Sequence, residues 1–186
     1  MLEIDLALFQ ALNADAATLP AMVTVARWVS QQLPTAIGGL LLGSFVLGNA
    51  AQRRAIALAL ASMALAWVAV QLVRLAVPAP RPAQLGIGVQ WIEHAARAGF
   101  PSMHVAGAAA LAASLALRPV TGLTWLAAAV TAAMAWSRIC LGVHFPSDVL
   151  AGLLTGGLAA VAVHALASWA PRLQAQRQKS LQGHAH

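Results

Sequence analysis

Between Ala55 and Val77 the chain runs for 23 residues with a single charge, Arg74, close to the far end. A helix of that length, rising about 1.5 Å per residue, crosses the roughly 30 Å hydrocarbon layer of a bilayer. Thr35–Ala51, Met103–Leu117, Thr121–Ile139 and Ser147–Trp169 read the same way, punctuated by Gln52-Arg53-Arg54 and Arg118-Pro119. Charged residues make up only 9% of the chain and hydrophobic ones 60%, where a soluble domain carries about 25% charge. So little charge cannot coat a water-facing surface. The expected fold is all-α: a polytopic membrane helical bundle of five or six transmembrane helices plus an N-terminal interfacial helix. One domain fills residues 1–171, and 172–186 form a loose polar cytoplasmic tail.

The ends of this layout are less regular. Residues 3–13 repeat with a helical period that puts Leu2, Leu6, Phe9 and Leu12 on one stripe, as in a helix lying in the membrane interface. Thr18–Leu33 is apolar but holds Arg27, Gln31 and Gln32 and stops at Pro34, and reads as interfacial or half-inserted. Met103–Leu117 reaches only about 22 Å, so one of its ends should sit inside the membrane boundary. Arg53, Arg54, Arg118, Arg172, Arg177 and Lys179 fall on one side, expected to be cytoplasmic. The N-terminus, the loops 78–102 and 140–146 and all five acidic residues fall on the other. The acidic N-terminus lacks the basic region of a cleaved signal peptide.

Several classes are disfavoured. The net charge of +6 comes without a basic run interleaved with aromatics, so no nucleic-acid partner is expected. The lone cysteine, Cys140, permits neither an intramolecular disulfide nor a Cys-based zinc site and reads as packing. No cluster of carboxylates or histidines has the layout of a metal site, so neither metal nor cofactor is expected.

The two acidic-side loops hold nearly all the reactive residues. Arg74, Arg81 and Arg138 converge there with only Glu93 and Asp148 nearby to balance them. An anion is the natural missing partner, and a guanidinium suits phosphate oxygens. Ser102 stands at an N-cap position and Pro146 opens the last span, two helix starts that favour an anion. His144 lies four residues before Asp148, a spacing that lets a carboxylate hold one ring nitrogen and leave the other to attack phosphorus. His104, on the other loop, is placed to protonate the departing oxygen.

These segments resemble the signature of the type-2 phosphatidic acid phosphatase family, which also includes vanadium haloperoxidases and acid phosphatases. The family pattern is Lys-x6-Arg-Pro, Pro-Ser-x-His and Ser-Arg-x5-His-x3-Asp. Here it reads Arg74-x6-Arg81-Pro82, Pro101-Ser102-Met103-His104 and Ser137-Arg138-x5-His144-x3-Asp148. The resemblance implies a phosphohistidine on His144 oriented by Asp148, and His104 as acid and then base. It also implies phosphate contacts from Arg74, Arg81, Ser102 and Arg138, with Met103 in the same binding segment. Arg74 stands where the family usually has Lys, and Met103 where it often has Asp or Gly. Within the family the small size and the Gly142-Val-His-Phe-Pro-Ser-Asp-Val-Leu150 string look most like the bacterial undecaprenyl pyrophosphate phosphatases. The implied substrate is then that lipid diphosphate, cleaved in the bacterial inner membrane at a site facing the periplasm or cell exterior. The partners are the phosphorylated lipid and the surrounding membrane lipids.

Blander readings stand beside these. The arginines snorkel to headgroups in many span ends, Ser102 and Asp148 serve as caps, and His164 reads as a packed residue. Glu93, His94 and Arg97 are candidates to touch the headgroup, while Trp28, Trp91 and Trp169 read as interfacial anchors. Gly152, Gly156 and Gly157 read as points of close helix approach. Rival functions are a phosphatidic acid or phosphatidylglycerophosphate phosphatase, a lipid-to-lipid phosphotransferase, and a non-enzymatic membrane component with a vestigial site.

Overall fold

The computed structural model describes residues 3–93, 97–117 and 121–183, and every regular element among them is helical. In chain order these are α1 (Glu3–Leu12), α2 (Pro20–Gln31), α3 (Leu33–Leu47), α4 (Ala50–Ala76), a 3-10 turn over Pro82–Leu85, α5 (Met103–Ala116), α6 (Thr121–Cys140) and α7 (Pro146–Gly183). His94, Arg118, Pro119, His184 and His186, like Leu2, lie outside the described residues.

The sequence divides 18–51 into a half-inserted segment and a separate span, and here the structure differs. α2 and α3 meet at Gln32, which keeps a right-handed helical conformation. Hydrogen bonds from Gln32 N to Trp28 O and from Ala36 N to Gln32 O carry the helical register across the junction. The interruption arises at Pro34, whose ring nitrogen has no proton for the carbonyl one turn earlier. Pro20–Leu47 is therefore one kinked helix of roughly 40 Å, with its first half on α6 and its second on α4. The residues 48–51 assigned to the same span instead end α3 and open α4, where Asn49 and Gln52 cap the helix reciprocally.

α4, α6 and the first part of α7 are each long and apolar enough to cross a membrane, while α5 is shorter, as its length predicts. Only 28% of the most apolar stretch of α4 and of α7 is buried. Leu75, Leu154, Leu158 and Leu166 point outward, so lipid must cover them. Between α4, α5 and α7 the core is built of small side chains, with Ala66, Val70, Ala106, Ala110 and Ala159. α7 comes so close to α5 that a Cβ on Gly152 would lie 2.7 Å from Ser102 O, and one on Gly156 would lie 2.3 Å from Ala106 O. Gly157 meets nothing within 4 Å and faces away, against expectation.

Two further expectations change. The tail expected to be loose from residue 172 onward is helical to Gly183. In α1 one member of the stripe expected to face the interface, Phe9, is buried beside Asp5, while Leu12 is exposed together with Ile4 and Leu8. α1 thus docks on the bundle by one edge and turns an apolar face outward. The N-terminus meets the two motif-bearing loops, Asn13 bonding to Val89 and to Cys140 O, so all three lie at one end of the bundle as expected.

Candidate active site

The loop before α7 can turn only because Gly142 has φ +70°, and a Cβ there would strike Val89 O at 2.1 Å. That turn delivers His144 and, four residues on, Asp148. Both are buried, His144 at 1% exposure and Asp148 at 3%. Asp148 Oδ2 lies 3.2 Å from His144 Nδ1 and accepts the Phe145 backbone N–H at 2.9 Å. On the opposite edge of the imidazole, Arg81 Nη1 stands 3.2 Å from His144 Nε2. A guanidinium can only donate, so Nε2 must present its lone pair and Nδ1 must carry the proton that faces Asp148. The ring is thereby held in the tautomer that leaves Nε2 nucleophilic.

Arg81 owes its position to backbone carbonyls. Its Nε donates to Arg97 O at 3.0 Å, and its Nη1 to Val143 O at 2.8 Å, tying one motif loop to the other. Gly99 leaves room for this, since a Cβ there would sit 3.1 Å from Arg81 Cγ and 3.4 Å from Asp148 Oδ2. Burial, and then the neighbouring charge of Arg74, draw the Arg81 guanidinium down to about 10 while Asp148 opposes them. It stays charged at neutral pH.

Arg74, in the last turn of α4, donates from Nη2 to Pro101 O at 2.9 Å, with Nε buried and without a partner among the described residues. Ser102 occupies the N-cap of α5, as expected, but its hydroxyl makes no capping bond and is buried without a partner among the described residues. Its backbone N–H donates instead to Asp148 O, joining the starts of α5 and α7. Arg138, 1% exposed, donates from Nη1 to Ser30 Oγ, while its Nε and Nη2 lack partners among the described residues. Unsatisfied buried donors on three residues of one motif set are costly to leave so, and are what an anionic oxygen would satisfy.

A cavity of about 730 Å³ brings the motifs together: Arg74, Arg81, Met103, His104 and His144 line it, with Glu93 and Arg97 at its wall. Ser102 and Arg138 are not among the residues lining it. A second, apolar cavity of about 650 Å³ lies between α3, α4, α5 and α6, walled by residues such as Leu41, Phe45, Leu60 and Val130. The two share Met103 and His104, so His104 stands where polar and apolar space meet.

Outside the site, Ser114 Oγ meets His164 Nε2 at 2.8 Å, and Cys140 is buried in the core, both as expected. Trp28 and Trp169 are exposed as anchors would be. Trp91 is half-buried; its Nε1 donates to Ala14 O and its carbonyl receives Arg27. The sequence reading missed Ser30, which holds Arg138 from the kinked helix, and Asp5, which accepts from the Ser147 backbone and hydroxyl. A buried carboxylate in an otherwise amphipathic first helix was the one available signal.

Residues 55–172 match the PAP2 superfamily. YbjG of Escherichia coli K12, provisionally named an undecaprenyl-diphosphatase, is 37% identical over 163 residues, covering 84% of this chain and 79% of its own length. The Mycobacterium tuberculosis decaprenylphosphoryl-5-phosphoribose phosphatase is 33% identical over 155 residues, 82% of this chain and 84% of that protein. The fold is similar to that of Aquifex aeolicus LpxE, with a TM-score of 0.74 at 22% identity, covering 88% of this chain and 96% of the other. A Bacillus subtilis PAP2-type phosphatidylglycerolphosphate phosphatase gives a TM-score of 0.68 at 17% identity, covering 89% of this chain and 85% of its own.

Proposed function

Since the chain belongs to the PAP2 superfamily, we propose that it hydrolyses the terminal phosphate of a polyprenyl diphosphate, with undecaprenyl diphosphate as the substrate that fits best. The observation that carries the chemistry is the bracketing of His144 between Asp148 and Arg81 on the wall of a cavity that also holds His104. His144 Nε2 attacks phosphorus, and the P–O bond to the lipid phosphate breaks. His104 gives its proton to the departing oxygen. The phosphoryl group now rides on His144, whose positive ring faces the Asp148 carboxylate. Water, deprotonated by His104, then attacks phosphorus and releases inorganic phosphate, restoring both histidines. Arg74 and Arg81, on the cavity wall, stabilise the equatorial oxygens.

The lipid class rests on two supports. The two sequence relatives named above, YbjG and the decaprenylphosphoryl-5-phosphoribose phosphatase, are named for prenyl-chain substrates, and His104 borders an apolar cavity able to take a lipid chain. Among the described residues no three His, Cys, Asp or Glu side chains group as ligands, and each step above uses a protein side chain or water. A site on the periplasmic or exterior face of the bacterial inner membrane follows if Arg53 and Arg54 obey the positive-inside bias.

Purified protein in detergent with excess EDTA should release phosphate from undecaprenyl diphosphate at least about tenfold faster, in kcat/KM, than from phosphatidic acid or phosphatidylglycerophosphate. Preference for a glycerolipid would move the chain to another substrate class. Transfer of the label to a second lipid instead of water would make it a phosphotransferase.

A further inference from the structure

We propose that Asp5 is a positioning residue for this reaction, capping the catalytic helix from the other end of the chain; the proposal rests on the phosphatase reading above. α7 begins at Pro146, so Phe145 occupies its N-cap, where Ser, Thr, Asp or Asn normally supplies an oxygen. Phenylalanine has none, and Pro146 has no N–H to offer. The next N–H, on Ser147, donates to Asp5 Oδ1 at 2.8 Å, and the Ser147 hydroxyl donates to Asp5 Oδ2 at 2.7 Å. Meanwhile Asp148, third in the helix, accepts the Phe145 N–H. The result is a capping box whose N-cap oxygen comes from a residue 142 positions away.

Other contacts fix α1 in register with that cap. Phe9 packs against Phe145 in a tilted arrangement, with ring centroids 5.2 Å apart and planes at 58°, and is fully buried. Asn13 accepts from the Val89 backbone N–H and donates to the Val89 carbonyl, on one motif loop, and donates to Cys140 O, at the start of the other. Asp5 itself is only 7% exposed, and the single ion pair among the described residues is His144–Asp148, so no cation accounts for its burial. A carboxylate placed there is expensive unless it is used, and its one visible use is to hold the turn that carries His144 and Asp148. On the adjoining face of α1, about 100° around the helix from Asp5 and Phe9, Ile4 and Leu8 are exposed at 67% and 48%, suited to rest in the membrane interface while the inner edge grips the site.

Freeing Ser147 would let the start of α7 shift, and about 1 Å of misplacement of reacting groups costs on the order of a hundredfold in rate. In detergent with undecaprenyl diphosphate, Asp5→Ala should therefore lower kcat by roughly 30- to 100-fold, with KM and inhibition by inorganic phosphate within about twofold of wild type. Asp5→Asn keeps an oxygen for the Ser147 N–H, and the Ser147 hydroxyl can turn to accept from its amide. It should recover kcat to within about fivefold of wild type. A merely structural role predicts something else: rate lost in step with folded protein on size exclusion, with no recovery in Asp5→Asn. That result, or wild-type kcat in Asp5→Ala, overturns the proposal. Should Asp5→Ala not fold, Ser147→Ala removes one of the two bonds and should cost about three- to tenfold in kcat, and no loss there overturns it equally. His144→Ala run alongside separates the two claims. An inactive His144→Ala beside a fully active Asp5→Ala sinks only the positioning role, whereas an active His144→Ala sinks the phosphatase mechanism beneath it.

Discussion

Replacing His144 with alanine should lower phosphate release by about four orders of magnitude and leave the protein folded and able to bind its substrate. The other histidine on the cavity wall, His104, has the acid–base role in the proposed mechanism and is not the attacking group. Arg81 makes one contact with the ring but keeps its bonds to Arg97 O, Ala98 O and Val143 O, so its guanidinium should stay in place. The loss should therefore appear in kcat, with KM for the lipid within a fewfold of wild type. A parallel collapse of KM and folded yield would mean that His144 serves the packing instead of the chemistry.

Substitutions at Asp148 should give the second-largest effect, in an order that the geometry dictates. Asp148→Ala removes both the acceptor that orients His144 and the cap on the Phe145 N–H, and should lower kcat by about a thousandfold. Asp148→Asn should be milder, about 10- to 100-fold. In the native site a single oxygen, Oδ2, accepts from both the ring Nδ1 and the Phe145 N–H. An asparagine carbonyl placed there can take both bonds and keep Nε2 unprotonated. What it cannot supply is the negative charge that balances the imidazolium once phosphorus is bonded. Measured kcat for the two variants separates orientation from charge. Equal, large losses would mean that charge dominates, and equal, small ones that Asp148 acts only as a cap.

Much of this site was legible because its chemistry is written in short spacings. His144 and Asp148 are one helical turn apart, so their contact follows from sequence, and the Arg81, His104 and Arg74 segments were tied to them by order and spacing. The cavity gathers Arg74, Arg81, His104 and His144 as expected, while Ser102 and Arg138 lie buried beyond its lining. The spans were legible for a different reason: lipid tolerates few charges, so Arg53, Arg54 and Arg138 mark helix ends. Contacts between distant segments were not. Ser30 meets Arg138 across 108 positions and Asp5 meets Ser147 across 142, and no local periodicity encodes either. Pro34 was read as a stop, yet whether a proline ends a helix or kinks it depends on what packs around it. Here α6 on one half and α4 on the other keep both halves helical.

The central claim is that the phosphoryl group passes through His144. The most direct measurement is rapid acid-free quenching of enzyme mixed with undecaprenyl diphosphate labelled in its terminal phosphate, followed by peptide mapping. The account predicts label that is stable to alkali, labile to acid, confined to the peptide bearing His144, and absent from His144→Ala. Label on another residue, or single-turnover phosphate release with no labelled enzyme at any time point, would contradict it.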